Sequence, residues 1–517
     1  MGKTERELIG SIDAGTTSVR FMIFNQFAEV EAWCGKEFTQ YFEKPGWQDQ
    51  DPHEIIDRVN ECIEQAVEEL EAKGDYKRED IKVIGVTNQR ETTVVWDKDT
   101  GKALHRAIAW PDARTTPTVN ELAKKHPKGL HALKEETGLP LSTYFAAVKL
   151  RWLLDNVPEV KKAHDEKQMK FGTIDSWLLY NLTGRAVHIT DASNASRTML
   201  MDLRKQAWDP KLCEFFGVDP DILPEIKSSC EIYGTIASGP LKGVEIAGIV
   251  GDQMAALIGQ KALNPGEAKN TYGTGAFLLY NTGNKIVNSE HGLLSTIAYQ
   301  PGPGLKPVYA LEGSIAVAGS AVKWLRDSLG LIKEAPEIGK EAAKVEDSAG
   351  VYFVTAFAGL LSPVWDSNAR GTIIGLTGFT TKAHICRATL EAVCYQTEAV
   401  LHAMAQESGV KVKELCVDGG MVDSDQCMQI QADILGITVS RPQMRESTAL
   451  GSALLAGAAK GMFGWKMDDA KTFDRVNAQN KDHFKPKISE EKRMKMIRGW
   501  ARAVERAKGW VKDDGAI

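Results

Sequence analysis

The feature that most constrains this chain is an apolar strand that runs into a glycine turn and emerges as a second apolar strand. Residues 8–24, LIGSIDAGTTSVRFMIF, have this form, with Gly15 where the chain must reverse. It returns at Asn270–Gly275 followed by AFLLY, and in part at 415–424, LCVDGGMVDS, where a strand enters a glycine turn before the helical QCMQIQADIL. Between the first two turns, strands alternate with amphipathic helices. In 51–70, Asp51 is placed to cap a helix, Pro52 suits its first position, and Ile55, Val59, Ile63, Val67 and Leu70 repeat at helical spacing, with Gly74 as the stop. Lys82–Thr87 reads as a strand leading into the polar loop NQRE, and 246–253, IAGIVGDQ, as a strand ending on Asp252. Such alternation builds an α/β sheet. The recurrence predicts two similar lobes, with the boundary near 255–268.

A length of 517 residues accommodates two or three domains, and 43% hydrophobic residues supply a core for each. With 63 basic against 69 acidic residues, the net charge of -6 gives no reason to expect nucleic acid or an acidic membrane as partner. The eight cysteines form no Cys-x-x-Cys pair and no zinc-spaced cluster, so they read as reduced thiols of a cytoplasmic protein. Neither an apolar signal core at MGKTERELIG nor an apolar run of membrane-spanning length is present. The Lys-rich segment after 465, with periodic Ile497, Trp500 and Val504, is expected to be a solvated C-terminal helix.

The turn Asp13-Ala-Gly-Thr-Thr-Ser18 suits phosphate chemistry. Gly15 lets the backbone come close, Thr16, Thr17 and Ser18 add hydroxyls to the exposed N–H groups, and Asp13 is a candidate to orient hydrated Mg²⁺. Arg20 is placed to neutralise phosphate charge. The same turn is also an ordinary tight hairpin; its recurrence at Gly273-Thr274-Gly275 and Asp418-Gly419-Gly420 favours the phosphate reading.

DAGTT, NQRETT, GDQ, NTYGTG, LEG, VDGG and TALG follow one another from about residue 8 to 462. In this order the chain resembles the FGGY family of carbohydrate kinases, and within it the members that act on glycerol. The resemblance implies two ribonuclease-H-like lobes of the actin and hexokinase superfamily around a central cleft. The expected divisions are an N-terminal glycerol- and phosphate-binding lobe (1–262), a C-terminal nucleotide-binding lobe (263–465) and a helical tail (466–517). It implies ATP and Mg²⁺ as cofactors, transfer of the γ-phosphate to glycerol to give sn-glycerol 3-phosphate and ADP, and a homo-oligomer, dimer or tetramer. Asp252 matches the family's catalytic base, and with Asp13 the metal-facing carboxylates. Arg90, Glu91, Trp110, Tyr144, Gln253 and Phe277 match the substrate contacts. Neighbours in a regular strand face opposite sides, so Arg90 and Glu91 can share a ligand only if the backbone there is irregular. On the nucleotide side the matches are Thr16, Thr17, Ser18, Arg20, Thr274, Gly275, Gly319, Lys323, Gly420 and Ser424. Lys323 and Ser424 depart from the residue types common at those places. Competing expectations are a related kinase acting on xylulose or gluconate, and a non-catalytic ATP switch of the same architecture.

Overall fold

The computed structural model describes residues 6–511 except 358, 367, 444, 445 and 478–480. The opening glycine turn joins β1 (Leu8–Ala14) to β2 (Ser18–Phe24) as an antiparallel hairpin, and β3 (Val30–Glu37) extends the meander. β4 (Ile81–Asn88) and β6 (Glu245–Gly251) then add in parallel on the other side of β1, and β5 (Ile232–Thr235) closes the edge. The order across the sheet is β5-β6-β4-β1-β2-β3. The second half repeats this plan. β7 (Ala268–Tyr272) and β8 (Ala276–Gly283) form the hairpin, β10 (Val308–Ile315) continues it antiparallel, and β11 (Glu414–Asp418) and β12 (Thr438–Arg441) add in parallel beside β7. With β9 (Leu294–Tyr299) and β13 (Asp482–Phe484) on the edges, the order is β9-β10-β8-β7-β11-β12-β13. Two sheets that share a five-strand core order are thus built around two glycine hairpins.

Helix α1 (Pro52–Lys73) begins where its sequence directs. The Asp51 side chain accepts the His53 N–H at 2.9 Å, Pro52 occupies the first turn, and Gly74 at φ 80° ends the helix. Its predicted stripe, Ile55 to Leu70, is buried against the first sheet, each side chain contributing about 1.5–3 kcal/mol by leaving water.

Two helices cross between the halves. α2 (Asp252–Gly259) starts at the end of β6 in the first sheet, yet its apolar face packs on β7 and β8 of the second. α6 (Ser447–Lys460) comes from the second half and lies across β1, β4 and β6. A Cβ on Gly451 would sit 1.9 Å from the Ala255 carbonyl oxygen, and one on Gly259 1.9 Å from that of Ser447. Only glycine allows this approach, which answers the small-residue composition of 449–462.

The C-terminal segment departs from the expectation of a purely solvated helix. α7 (Glu490–Ala507) buries Trp500, Ala503, Val504 and Ala507 in the second core, and Trp500 stacks on Tyr395 of α4 (Lys382–Ser408) with ring centres 5.2 Å apart. Three- and four-residue spacing of the apolar positions gives the helix one docked face and one charged face. No helix among the described residues is long and apolar enough to cross a membrane, and all eight cysteines are free thiols.

Candidate active site

β4 ends at Asn88 and the backbone then folds on itself. The Thr92 N–H donates to the Arg90 carbonyl at 2.7 Å, an i→i+2 bond that leaves Glu91 between them at φ 60°. A γ-turn with a left-handed glutamate stores about 1–3 kcal/mol of strain. It supplies the irregularity that the adjacent pair requires: Arg90 and Glu91 both point inward and are buried.

Their charges belong to a larger network. Arg90 spans Glu312 end-on, Nη1 to Oε2 at 2.5 Å and Nη2 to Oε1 at 3.3 Å. Its side edge is turned to Asp252 and Tyr144, with Nε 3.3 Å from Asp252 Oδ1 and Nη2 3.4 Å from the Tyr144 hydroxyl. Arg197 donates from Nε to Glu91 Oε1 at 2.6 Å and from Nη2 to Glu312 Oε1 at 3.1 Å. Burial alone would raise the Glu312 carboxyl; Arg197 and Arg90 outweigh it and hold the group at about 2. Burial raises Glu91 against the pull of the same two arginines. Glu312 and Arg197 were not singled out from the sequence as site residues, although both lie in recognisable segments, LEG and SNASR.

Aromatic rings line the same end of the cleft. Trp110 lies 5.4 Å from Tyr144 and 6.0 Å from Phe277, centre to centre. The buried Lys149 ammonium donates to the Thr143 and Tyr144 carbonyls at 2.8 and 2.6 Å, fixing the loop that carries Tyr144. The Trp110 indole donates to Thr16 Oγ1 at 2.9 Å, joining this wall to the first glycine turn.

Asp252 is the first residue of α2, about a quarter exposed. Its Oδ1 takes the Gln253 N–H at 2.7 Å and faces Arg90, and Oδ2 has no protein partner among the described residues. Burial raises its carboxyl, opposed by Arg90. The start of the helix is anchored from behind. Gly251 N–H donates to Ser193 Oγ at 2.9 Å, and Ser193 Oγ donates to the buried Asp191 at 2.9 Å. Gln253 Oε1 accepts from the buried Lys269 ammonium at 2.5 Å.

In the opening turn Gly15 N–H donates to the Ser18 carbonyl at 2.9 Å, while Gln50 and Gln40 hold the Thr16 carbonyl at 2.8 and 3.1 Å. Thr17 is exposed, and Thr16 and Ser18 are partly so. Asp13 sits behind the turn, opposite Arg20 in register. Its carboxyl is pushed up to about 7 by burial, lowered somewhat by Arg20 and raised further by Asp252 and Glu446. Arg20 itself is paired with Glu446 at 2.6 Å, so it reaches a phosphate only by sharing or leaving that partner.

The second glycine turn opens on a cavity of about 690 Å³ lined by Gly273, Thr274, Gly319, Lys323, Gly420 and Ser424, with Gly275 just behind. Gly319 begins α3 (Gly319–Asp327), where a Cβ would meet the Gly273 carbonyl oxygen at 2.6 Å; Gly275 would meet that of Ile315 at 2.5 Å. Ser424 caps α5 (Asp425–Leu435), its hydroxyl accepting the Cys427 N–H at 3.2 Å. The expected residues therefore form two groups. Arg90, Glu91, Trp110, Tyr144, Asp252, Gln253 and Phe277 meet beside the first turn, and Thr274, Gly319, Lys323, Gly420 and Ser424 line the cavity beside the second.

Residues 8–259 match the FGGY family of carbohydrate kinases, N-terminal domain, and 268–460 match the C-terminal domain of that family. A glycerol kinase of Leifsonia xyli subsp. xyli is 48% identical over 512 residues, spanning 98% of this chain and 99% of that protein. One of Saccharopolyspora erythraea is 49% identical over 507 residues, spanning 97% and 99%. Among solved structures, Plasmodium falciparum glycerol kinase with ADP superposes with a TM-score of 0.90 at 37% identity, covering 97% of this chain and 98% of that one. Xylulose kinase from Lactobacillus acidophilus, at 21% identity and a TM-score of 0.84 over 97% of each chain, shares the fold.

Proposed function

We propose a residue-level mechanism for a chain that belongs to the FGGY family of carbohydrate kinases and phosphorylates glycerol with ATP, releasing ADP. The observation that carries it is the convergence of Arg90, Glu91, Tyr144 and Asp252 on one end of the cleft, walled by Trp110 and Phe277. A triol offers hydroxyls to such groups and a short carbon backbone to the rings. Arg90 gives its Nε and Nη2 edge to hydroxyl oxygens because Glu312 occupies the other. Glu91 accepts hydroxyl hydrogens at Oε2, since Arg197 holds Oε1. Gln253 and Tyr144 complete the polar contacts.

Asp252 is the general base. Its Oδ2 takes the acceptor proton as the alcohol oxygen attacks the γ-phosphorus in line. Burial makes the carboxylate more basic, and the Arg90 guanidinium opposes that rise. ATP lies along the second half of the cleft, its base and ribose in the cavity with Lys323 and Ser424, and its phosphates reaching past Thr274, Gly275, Gly319 and Gly420 to Thr16, Thr17, Ser18 and Arg20.

The charge of Asp252 raises the Asp13 carboxyl, and such a pair of carboxylates suits Mg²⁺, which keeps much of its hydration. When bound with ATP it would offset charge on the phosphates. The product is sn-glycerol 3-phosphate, the first step of glycerol use, and the free thiols support work in a reducing cytoplasm.

A coupled ADP-release assay across glycerol, dihydroxyacetone, xylulose and gluconate tests the pocket, with a stereospecific dehydrogenase reading the product. Highest kcat/KM on glycerol and the sn-3 product are expected. Preference for a sugar would overturn the substrate contacts, and ADP release without dependence on acceptor would favour the ATP-switch reading.

A further inference from the structure

Lys269 is the second residue of β7 and has no solvent exposure. A lysine there is costly to bury, and burial brings its ammonium down to about 8, opposed by Asp418 and Asp252. Lys269 and Asp418 are diagonal neighbours on adjacent parallel strands, since Lys269 pairs with Cys416 and Thr271 with Asp418. The ammonium donates to Thr271 Oγ1 at 2.8 Å and, across the junction between the two halves, to Gln253 Oε1 at 2.5 Å.

We propose that Lys269 is a positioning residue for the acceptor, which acts by locking the Gln253 amide with its N–H₂ group turned to the cleft. An ammonium has three donors and no acceptor, so only the amide oxygen can face it. Turning the amide over would set N–H against N–H and forfeit a charge-assisted bond, which biases the two orientations by more than about tenfold. Gln253 is partly exposed, and its Nε2 donates to no protein group among the described residues. The acceptor therefore meets Gln253 as a donor only, beside the Arg90 edge, which is also a donor only. Together they select a hydroxyl oxygen as acceptor and leave its hydrogen for Glu91 or Asp252. Because Lys269 belongs to the second sheet and Gln253 to the helix that ends the first, this contact also ties the acceptor end of the cleft to the nucleotide half.

The inference rests on the assignment of the acceptor pocket, and the test separates the two. Glycerol and ATP kinetics are measured for the wild type, Lys269→Met, Gln253→Ala and the double variant. K269M should raise the glycerol KM about tenfold with the ATP KM within about twofold, and should change little further in the Q253A background. Additive effects of the two substitutions, or a matching rise in the ATP KM, would overturn the positioning role, because a merely structural lysine acts independently of Gln253. Should K269M not fold, Gln253→Glu carries the test. It gives Lys269 an acceptor but the cleft no N–H, so it should lose as much glycerol affinity as Q253A; wild-type affinity would refute the locked amide. A wild-type enzyme inert toward glycerol would instead sink the acceptor pocket itself.

Discussion

Replacing Glu312 by Gln preserves size and removes one charge from a buried cluster of Arg90, Arg197, Glu91 and Glu312. Glu312 is fully buried, and its carboxyl is held at about 2 instead of 4.5. At about 1.36 kcal/mol per pH unit, that depression corresponds to about 3 kcal/mol of stability supplied by the ionised form. Breaking a buried pair by removing one partner costs about 3–5 kcal/mol by an independent route. The folded value is depressed, so this stability is present above pH 4.5 and lost as pH falls from about 4.5 to about 2. Urea unfolding should therefore show E312Q weaker by about 3 kcal/mol at pH 7.5, with the gap narrowing at pH 4 and below. Arg90, released from its end-on partner, should swing toward Asp252, raising the glycerol KM about tenfold. A loss below about 1 kcal/mol at both pH values with an unchanged glycerol KM would refute the network's role.

Three other outcomes follow from the same geometry. Asp13, raised to about 7, costs folding stability as pH climbs from about 4 to 7. Cleft water screens part of this, so Asp13→Asn should stabilise the ligand-free enzyme by about 1–2 kcal/mol at pH 8, with no gain at pH 4, and should depress kcat. No gain in melting temperature at pH 8 would contradict the burial. Gly451→Ala drives a Cβ to within 1.9 Å of the Ala255 carbonyl, and melting should show a loss of about 3 kcal/mol together with reduced kcat, because α2 carries Asp252. Trp500→Ala removes the ring stacked on Tyr395 and should cost about 3–5 kcal/mol, whereas a freely solvated tail would lose almost nothing.

Much of the frame was legible because it is local. A glycine between short apolar runs marks each hairpin, and Asp51, Pro52 and Gly74 mark the ends of α1 without reference to anything distant. Asp252 was readable as a strand-end carboxylate. The need for broken backbone at Arg90 and Glu91 also followed from strand geometry, although the left-handed Glu91 itself did not. What escaped was separated in sequence. Glu312 lies 222 residues from Arg90 and Arg197 lies 106 from Glu91, so nothing local shows that they meet. Arg20 carried the right charge for phosphate, but its pairing with Glu446 depends on where α6 crosses the first sheet. Lys269 did leave a trace: a cation inside an otherwise buried strand needs a partner.

The central claim is that Asp252 takes the proton from glycerol. Wild type and Asp252→Asn should be compared for glycerol-dependent ADP release at pH 7.5, with glycerol and ATP affinities measured separately. The account predicts a kcat lowered by about 10²–10⁴ with both affinities nearly intact. A variant that keeps more than about a tenth of the wild-type kcat would contradict it.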